Sequence, residues 1–329
     1  MKKKKNYVLV NFGGPRDLEE VEEFLICLFQ DQEVLRTPLP ALIHQFFFTR
    51  LAKKRARRVV HDYALIGGKS PIYEDTESIA KQVAHLLGEP ILTFHRYLPR
   101  THASFIETLQ NIPDNTEIRV VPLFAQFSYA TTGSIAVWFK RHLPKALVNR
   151  MVWVKSYPMD TAYLSVFEKC IREFLEQKDL KEEKTILLFS AHGLPQKFIQ
   201  TGDIYERECQ LTFHHLSSRY PQALSRLCYQ SQFGKEEWLR PYTADLCNTI
   251  DQWGKGYDNA VIVPLSFTSD HVETLFEVEQ QYIPPIAERG FRAFRCPALN
   301  QREEWLQAIA EMLQREDGVS THMLIRHLA

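Results

Sequence analysis

The chain has 329 residues and a mass of 38.5 kDa, enough for two domains of ordinary size. Hydrophobic residues make up 45% and charged residues 24% of it, which is typical of a soluble globular protein and excludes disorder, collagen-like repeats and a coiled coil. Forty Lys and Arg residues balance forty Asp and Glu residues, so no overall positive field attracts nucleic acid and we expect no nucleic-acid partner.

The six cysteines form no C-x-x-C motif and no short His/Cys pairing. This spacing predicts neither a disulfide scaffold nor a structural zinc site, and it fits a reducing cytoplasm. The basic start, residues 1–5, is followed by an apolar run that is too short for a signal peptide and lacks a small-residue cleavage site. No stretch reaches the roughly 18 apolar residues of a spanning helix. We therefore expect a cytoplasmic protein.

Short runs of β-branched and aromatic residues alternate with longer segments of helical periodicity, which is the pattern of βαβ units. The runs are nearly continuously apolar, as expected of strands that are covered on both faces. Four runs fall in each half of the chain, at 7–12, 91–94, 118–123 and 151–154, and at 185–190, 226–229, 260–265 and 291–294.

The two halves repeat one plan. Pro122 and Pro158 of the first half correspond to Pro264 and Pro297 of the second at nearly constant separation, which indicates an internal duplication. We predict an α/β fold of two similar domains, each a four-stranded parallel sheet flanked by helices, facing each other across a cleft. The predicted divisions are 1–160, 161–302 and a C-terminal helix over 303–329 that packs back on the first half.

The first half carries an insertion at about 16–60, between its first two strands. It contains the apolar run LPALIHQFFF at 39–48 and the basic run KKRARR at 53–58. One interpretation is an amphipathic helix that closes the domain. The other is an apolar lip with a cationic flank, suited to a hydrophobic substrate or to peripheral contact with a membrane. The basic run alone is also compatible with a solvated helix face.

Candidate functional residues follow the strands, because ligands of such sheets bind at the carboxyl ends of the strands. His192 follows the strand at 185–190, and Gly193 and Pro195 then force a turn, which places an imidazole at the mouth of the cleft. A lone His is more often structural than catalytic. A carboxylate partner would therefore strengthen a functional interpretation of His192.

The third strand of the same half supplies candidate carboxylates. Asp270 and Glu273 have the spacing of a capping box, which predicts a helix start and explains both acids without a function. Glu273, Glu277 and Gln281 also recur every four residues and would form one polar stripe. Glu273 set near His192 would make an imidazole–carboxylate pair that could bind a first-row divalent ion or act as acid and base.

The corresponding strand ends of the first half carry different chemistry. Phe12 follows the first strand, and the hydroxyl-rich segment 128–134 follows the third, which predicts an apolar wall and a helix start able to hold a carboxylate. No strand is followed by G-x-G-x-x-G, and no G-x-S-x-G is present. Dinucleotide binding and α/β-hydrolase chemistry therefore lack their usual motifs.

Six motifs, in the same order along the chain, resemble the ferrochelatases. They are LVNFGGP at 9–15, YALIGGKSP at 63–71, TTGS at 131–134, FSAHGLP at 189–195, YQSQ at 229–232 and FTSDHVETL at 267–275. The resemblance implies a chelatase-like fold of two Rossmann-like domains. It also implies insertion of ferrous iron into a porphyrin, with protoporphyrin IX expected, to form haem.

The resemblance also implies roles for particular residues. His192 and Glu273 correspond to the family's essential His and Glu and are the expected catalytic residues. With Glu277, on the family's acidic relay, they are the expected metal site. The expected porphyrin-binding residues are Phe12, Arg96, Tyr97 and Ser128, and the insertion corresponds to the family's substrate lip.

The chain departs from parts of the family pattern. Tyr129 stands where some members have an iron–sulfur Cys, and no Cys cluster precedes Ala329, so we expect no iron–sulfur cluster, no prosthetic group and ferrous iron only as a substrate. Gln281 replaces an acid of many relatives, which shortens the relay. Phe12 cannot bind metal, although some relatives have Met or Tyr there.

Two other functions stay open from the sequence. One is a non-catalytic tetrapyrrole-binding or metal-carrier protein. The other is a cobalt chelatase of the corrin pathway, which shares the fold, but such relatives generally have a second His ligand, and His271 falls on a different helix face from Glu273. The sequence predicts no oligomeric state and does not distinguish a porphyrin with two carboxylates from one with four.

Overall fold

The computed structural model describes residues 4–326. Residues 1–3 and 327–329, which are the outermost parts of the predicted first and last segments and include most of the basic start, lie outside the described residues. The chain divides into two compact units. The first runs to Ser156 and also contains the segment that begins at Leu306, whereas the second is Tyr157–Trp305.

In both units the strands are connected by segments that contain one to three helices. Up to residue 156 they are β1 (Lys5–Asn11), α1 (Glu20–Gln30), α2 (Ala41–Leu65), α3 (Pro71–Leu87), β2 (Ile91–His95), α4 (His102–Gln110), β3 (Glu117–Pro122), a π-helix (Tyr129–Gly133), α5 (Ser134–His142), α6 (Lys145–Val148) and β4 (Met151–Trp153). They continue with α7 (Thr161–Gln177), β5 (Thr185–His192), α8 (Gln196–Gln200), α9 (Tyr205–Ser218), β6 (Leu224–Gln230), α10 (Thr243–Asn248), α11 (Ile250–Trp253), β7 (Asn259–Pro264), a second π-helix (Glu273–Tyr282), α12 (Ile283–Ala287), β8 (Arg292–Arg295), α13 (Glu303–Gln314) and β9 (Val319–Ser320).

The predicted α/β fold with two mainly parallel sheets is confirmed. Within residues 4–326 the second unit holds a sheet of order β6-β5-β7-β8, and the first holds one of order β2-β1-β3-β4-β9. The first sheet thus has one strand more than predicted, because β9 pairs antiparallel with β4. A two-residue strand is too short to produce an alternating pattern in the sequence.

The two sheets share strand order and register. Val10 of β1 is paired with Pro122, and Ser190 of β5 is paired with Pro264, each proline being the last residue of the third strand of its sheet. Two residues further along, Phe12 and His192 are therefore equivalent positions of the two sheets. Both central strands are buried along most of their length, as their Val, Leu and Ile content dictates.

The insertion forms α1 and α2. Helix α2 buries His44, Phe48, Ala52 and Ala56 at four-residue spacing, while Leu42, Ile43, Phe46 and Phe47 are more than half exposed. The helix therefore packs one face on its unit and leaves an apolar surface at its amino-terminal end. Phe48, which the apolar run includes, belongs to the packed face, where its ring contacts His44 with centroids 4.4 Å apart.

The structure shows the state of the cysteines and the character of the helices. All six cysteines are free, and five of them are buried. Within residues 4–326, no helix combines the length and the apolar character that a bilayer span requires.

Candidate active site

The carboxyl end of β5 places His192 at the edge of the second sheet. The preceding residues of β5 are all buried, and His192 is the first that is partly exposed. Its backbone N–H donates to the Ser266 hydroxyl at 2.9 Å. The N–H of Gly193 donates to the Gln230 carbonyl at 2.8 Å, and a Cβ at Gly193 would lie only 2.7 Å from that oxygen. The chain can turn against β6 here because residue 193 has no side chain.

His192 and Glu273 are in direct contact. Nδ1 of His192 lies 2.8 Å from Glu273 Oε2, and the two side chains are 36% and 31% exposed. Because an ionised carboxylate can only accept, Nδ1 carries the proton, and Nε2 of the neutral imidazole holds a lone pair. The His192 ring is flanked by Trp238 and Phe267, whose ring centroids lie 6.5 and 6.4 Å away. The pair can therefore accept a proton or a cation beside aromatic surface.

The predicted capping box between Asp270 and Glu273 is wrong. The Glu273 N–H donates to Nδ1 of His271 at 3.0 Å, so a histidine caps this helix start. The Asp270 carboxylate accepts instead from Arg295, Thr274 and Asn300, each within 2.8 Å. Only the backbone of Glu273 takes part in this cap, so its side chain is free to reach His192.

The Glu277 carboxylate lies one step beyond Glu273. Its Oε1 accepts from the Ser231 N–H at 2.9 Å and from the Tyr282 hydroxyl. Its Oε2 accepts from the Ser231 hydroxyl at 2.5 Å and from Gln230 Nε2 at 3.4 Å. The Ser231 hydroxyl also lies 3.2 Å from Glu273 Oε2, so it links the two carboxylates. A continuous hydrogen-bonded chain thus leads from His192 through both acids to Tyr282.

Ser231 reaches both acids through an unusual backbone. Its φ of 64° lies in the left-handed region, which a residue other than Gly adopts rarely and at a cost in free energy. Gln230, directly before it, is buried, donates to the Glu273 carbonyl at 3.2 Å, and accepts from the Ser190 hydroxyl at 2.7 Å. The end of β6 is therefore shaped to aim donors at the helix that carries the acids.

That helix is a π-helix over Glu273–Tyr282, and this changes the predicted stripe. Its hydrogen bonds join residues five apart instead of four, as in the bond from the Ile283 N–H to the Val278 carbonyl. Glu273 and Glu277 lie on the same side of the helix, but Gln281 is exposed. The residue that follows Glu277 on that side is Tyr282, whose hydroxyl donates to Glu277. The expected third member of the stripe is thus not part of the network.

The pKa values of the three titratable groups are displaced by one another. Burial is the largest influence on the pKa of His192 and lowers it, but the charge and hydrogen bond of Glu273, with the charge of Glu277, together raise it above its usual value. Burial also acts to raise the pKa of Glu273, yet the charge and hydrogen bond of His192 hold it below its usual range. Burial, followed by the charge of Glu273, raises the pKa of Glu277. A proton is therefore held by His192 in preference to Glu273, and Glu277 is the more readily protonated acid.

His271 has a different environment. Burial lowers its pKa, which keeps the imidazole neutral and leaves Nδ1 able to accept the Glu273 N–H. Its Nδ1 is thus occupied by the backbone of the helix start. A second histidine ligand, as expected for a cobalt chelatase, gains no support from this arrangement.

The predicted porphyrin-binding residues lie in the first unit. Phe12 and Tyr97 are in ring contact with centroids 5.1 Å apart, and Arg96 stacks over Tyr97 at 4.8 Å. Tyr97 is fully buried, while Phe12 and Arg96 are partly exposed. Ser128 is also fully buried, and its hydroxyl accepts the Ala130 N–H at 3.0 Å as the cap of the first π-helix. The structure brings three of the four residues together and uses Ser128 to begin a helix.

Arg96 and Tyr97 share one carboxylate. Nη2 of Arg96 lies 2.6 Å from Asp31 Oδ2, and the Tyr97 hydroxyl donates to the same oxygen at 3.0 Å. Ser134 donates to it as well and also accepts from Arg96 Nε at 3.0 Å. Sequence reasoning missed Asp31, because it follows α1 and no strand.

Other members of the second-unit network were also missed as functional residues. Ser231 stands in one of the six motifs, but neither its hydroxyl nor its backbone was given a role. Tyr282 and Trp238 lie outside all six motifs. Their positions depend on the π-helix and on the long segment after β6, and neither leaves a periodic signal in the sequence. Among residues 4–326, no three His, Cys, Asp or Glu side chains are grouped so that they could hold a metal ion, and the metal assignment of His192, Glu273 and Glu277 stays a prediction.

A family model and named relatives identify the family of this chain. The family model described as ferrochelatase matches residues 4–317. A protein of Chlamydia abortus named ferrochelatase is 42% identical over 320 residues, covering 97% of this chain and 98% of its own, and one of Chlamydia pneumoniae is 38% identical over 320 residues, covering 97% and 96%. Among solved structures, a multi-domain protein of Deinococcus radiodurans with structural similarity to chelatases matches with a TM-score of 0.48 and 12% identity, covering 75% of this chain and 52% of its own. The chain belongs to the ferrochelatase family and is a metal-inserting enzyme of haem synthesis.

Proposed function

We propose that this enzyme inserts ferrous iron into protoporphyrin IX and that His192 accepts a pyrrole proton during insertion. The observation that carries the proposal is the 2.8 Å contact between His192 Nδ1 and Glu273 Oε2. It fixes the tautomer in which Nε2 is the acceptor, as a carboxylate does for the imidazole of many general bases. Family membership supports the metal insertion, and this geometry supports the roles.

Two protons leave the porphyrin for each ferrous ion that enters, so the site needs a path for protons as well as a base. His192 takes a proton from a pyrrole nitrogen, and Glu273 offsets the charge of the imidazolium that forms. Glu277, whose pKa is raised by burial and by the charge of Glu273, is the acid best suited to receive a proton. The Ser231 hydroxyl, within 3.2 Å of Glu273 and 2.5 Å of Glu277, connects the two.

The same three side chains are the proposed contacts for the incoming iron. An imidazole nitrogen and carboxylate oxygens suit first-row divalent ions, and such a donor set discriminates weakly among them. We therefore expect zinc and cobalt to be inserted in vitro as well. Iron enters as a substrate, and the proposal requires no prosthetic group and no iron–sulfur cluster.

Porphyrin binding is assigned to the first unit. Phe12 and Arg96 are partly exposed, so we propose that Phe12 presents apolar surface to the macrocycle and that Arg96, whose charge is shared with Asp31, donates a hydrogen bond to a porphyrin carboxylate. Tyr97 and Ser128 are fully buried and would act by holding these elements in place. Apolar walls that favour a bent ring would assist insertion, since bending exposes the nitrogen lone pairs.

The test is anaerobic mixing of the purified protein with ferrous iron and protoporphyrin IX. Metallation changes the pattern of the visible bands, whereas binding alone shifts them. We expect turnover, with many equivalents of haem formed per protein. A stoichiometric shift without metallation would instead identify a tetrapyrrole-binding or metal-carrier protein. Parallel reactions with coproporphyrin would show whether two or four carboxylates are preferred.

We further propose that the exposed apolar side chains of α2 bring a cytoplasmic enzyme into peripheral contact with a membrane. Leu42, Ile43, Phe46 and Phe47 are 81%, 54%, 62% and 55% exposed. Lys53, Lys54, Arg57 and Arg58 follow on the same helix and are exposed too. Apolar side chains flanked by basic ones suit an interface with anionic lipid.

Co-sedimentation with vesicles that contain an anionic lipid tests this contact. The double variant Phe46→Ser/Phe47→Ser leaves Phe48 in place, because Phe48 is buried and its loss would disturb folding. We expect the variant to pellet less than the wild type. A matched control is Leu86→Ser/Leu211→Ser, which removes exposed apolar side chains elsewhere. Equal pelleting of all three proteins would exclude the contact.

A further inference from the structure

The phenol of Tyr282 lies at the inner end of the hydrogen-bonded chain that begins at His192. The side chain is 5% exposed, and its ring belongs to a core cluster that also contains Val278, Ile286, Cys228 and Cys247. Its hydroxyl donates to Glu277 Oε1 and accepts from the Ser231 N–H at 3.3 Å. A donor fixed by a packed ring has little freedom to follow a carboxylate that moves.

The π-helix is what allows this contact. Glu277 and Tyr282 are five residues apart, which is the repeat of the π-helical hydrogen bond. In an α-helix, neighbouring side chains on one face are three or four residues apart, so a residue at this spacing would point elsewhere. The tyrosine thus reaches Glu277 from one turn further along because Glu273–Tyr282 is wound as a π-helix.

The four hydrogen bonds of Glu277 divide between its two oxygens. Tyr282 and the Ser231 N–H hold Oε1, while Oε2 receives the Ser231 hydroxyl, which also contacts Glu273. Gln230 Nε2 adds a longer bond to Oε2 at 3.4 Å. With Oε1 held by Tyr282 and the Ser231 N–H, Oε2 faces the Ser231 hydroxyl that also contacts Glu273. One of the two donors that hold Oε1 is therefore the side chain of Tyr282, which lies beyond Glu277 on the same helix.

We propose that Tyr282 is a positioning residue that fixes the Glu277 carboxylate, so that Oε2 is held toward Glu273 for transfer of the metal ion. The inference rests on the proposed role of Glu277 in metal insertion and adds a residue to it. Gln281 is exposed, and the hydrogen bonds of Glu277 come from Tyr282 and from Gln230 and Ser231 at the end of β6.

Tyr282→Phe removes the hydroxyl and keeps the packed ring. We expect kcat/KM for ferrous iron to fall roughly tenfold, as for the loss of one hydrogen bond to a charged group, with KM for porphyrin within about twofold of wild type. In a Glu277→Gln background the same substitution is expected to add less than about twofold, because the group that it positions is already altered. The control is Tyr220→Phe, which deletes another buried hydroxyl of the second unit, one that donates to the Glu168 carbonyl.

Calorimetric titration of the porphyrin-free protein with zinc gives a readout that does not depend on turnover. We expect Tyr282→Phe to bind zinc roughly tenfold more weakly than wild type and Tyr220→Phe to bind it equally well. Unchanged zinc affinity and unchanged kcat/KM for iron in Tyr282→Phe would overturn the inference, as would an equal loss in both Glu277 backgrounds or an equal change in KM for porphyrin. A wild type that binds zinc but inserts no metal would refute the proposed function instead, and weaker zinc binding by Tyr282→Phe would still support the positioning role.

Discussion

The ends of the two central strands occupy equivalent positions but carry different chemistry. The shared register makes Phe12 equivalent to His192, and Arg96 and Tyr97, which follow β2, equivalent to Gln230 and Ser231 at the end of β6. In both units a π-helix follows the third strand. The backbone plan is therefore common to the two units, and a few side chains distinguish an aromatic surface in the first from an imidazole–carboxylate network in the second.

The charge balance of the two networks differs accordingly. In the first unit, one carboxylate, Asp31, is neutralised by Arg96, and the two side chains are only 6% and 14% exposed. In the second, Glu273 and Glu277 share a single imidazole, and about a third of the surface of His192 and Glu273 is open. A closed, balanced network stabilises a fixed surface, whereas two acids competing for one cation leave room for a proton or a metal ion to exchange.

The contrast between the two units would be wrong if metal insertion did not need the imidazole of His192. We expect His192→Ala to reduce metal insertion about a thousandfold, the typical contribution of a general base, while porphyrin affinity stays within a few-fold because the first unit is unchanged. Initial rates of metallation and a fluorescence titration with porphyrin measure the two quantities. His214→Ala, at an exposed histidine of α9, is the control.

The equivalence of positions 12 and 192 sharpens the same test. Phe12→His supplies an imidazole at the matching position of the first sheet, without a carboxylate partner equivalent to Glu273. We expect the double variant Phe12→His/His192→Ala to remain inactive. Recovered activity would show that the position of the imidazole matters and its carboxylate does not.

The first-unit network should matter for stability more than for chemistry. Asp31→Asn removes the charge that pairs with Arg96 and turns an acceptor of three donors into an amide. Because both partners are largely buried, we expect the free energy of unfolding to fall by about 3 kcal/mol. Urea denaturation measures the loss. A shifted pH profile of insertion in this variant would contradict the separation of roles between the two units.

Removing the acid beside the imidazole should have a smaller effect than removing the imidazole. For Glu273→Gln we expect kcat to fall between about 10- and 100-fold, the usual range for a group that orients a functional histidine. The Glu273 carboxylate raises the pKa of His192, so the pKa of His192 is lower in Glu273→Gln than in the wild type. With His192 as the proposed base, we expect the rising limb of the rate with pH to follow its deprotonation and to move to lower pH in the variant. A limb at the same pH as in the wild type would show that Glu273 does not set the pKa of the group whose deprotonation limits the rate.

The stability that this pair confers has a pH dependence of definite sign. The raised pKa of His192 gives a contribution that is complete below the imidazole's unfolded value and is lost as the pH rises through the folded one. The lowered pKa of Glu273 gives a contribution that is present above the unfolded carboxyl value and is lost as the pH falls. The pair is therefore most stabilising between these two limits, in weakly acidic solution.

The sequence predicts the parts of the fold and of the candidate site that depend on regular strands and helices. The eight principal strands are apolar runs with clear ends, so strand-end reasoning found both His192 and Glu273. The helix that bears Glu273 was expected to be α-helical, and the π-helix that brings Tyr282 to Glu277 has no sequence pattern of its own. The positive φ of Ser231 and the two-residue β9 accompany contacts between residues far apart in the chain, which local propensity does not encode. The cap by His271 is local, but His is not among the residue types that N-cap patterns favour.

The smallest expected effect concerns the glycines that follow the two equivalent residues. A Cβ at Gly13 would lie 2.9 Å from the His95 Cβ, in a residue whose φ is +75°, whereas a Cβ at Gly193 would meet the Gln230 carbonyl at 2.7 Å without a positive φ. Both Ala substitutions should lower the free energy of unfolding by about 1–2 kcal/mol, with Gly13→Ala the more damaging because backbone strain adds to the clash. Only Gly193→Ala should also slow metal insertion, since the shift needed to relieve its clash moves His192, whereas Gly13 adjoins Phe12 in a wall. Thermal melting and initial rates of both variants separate these effects, and equal loss of activity would mean that the walls of the first unit are as finely positioned as the acid–base pair of the second.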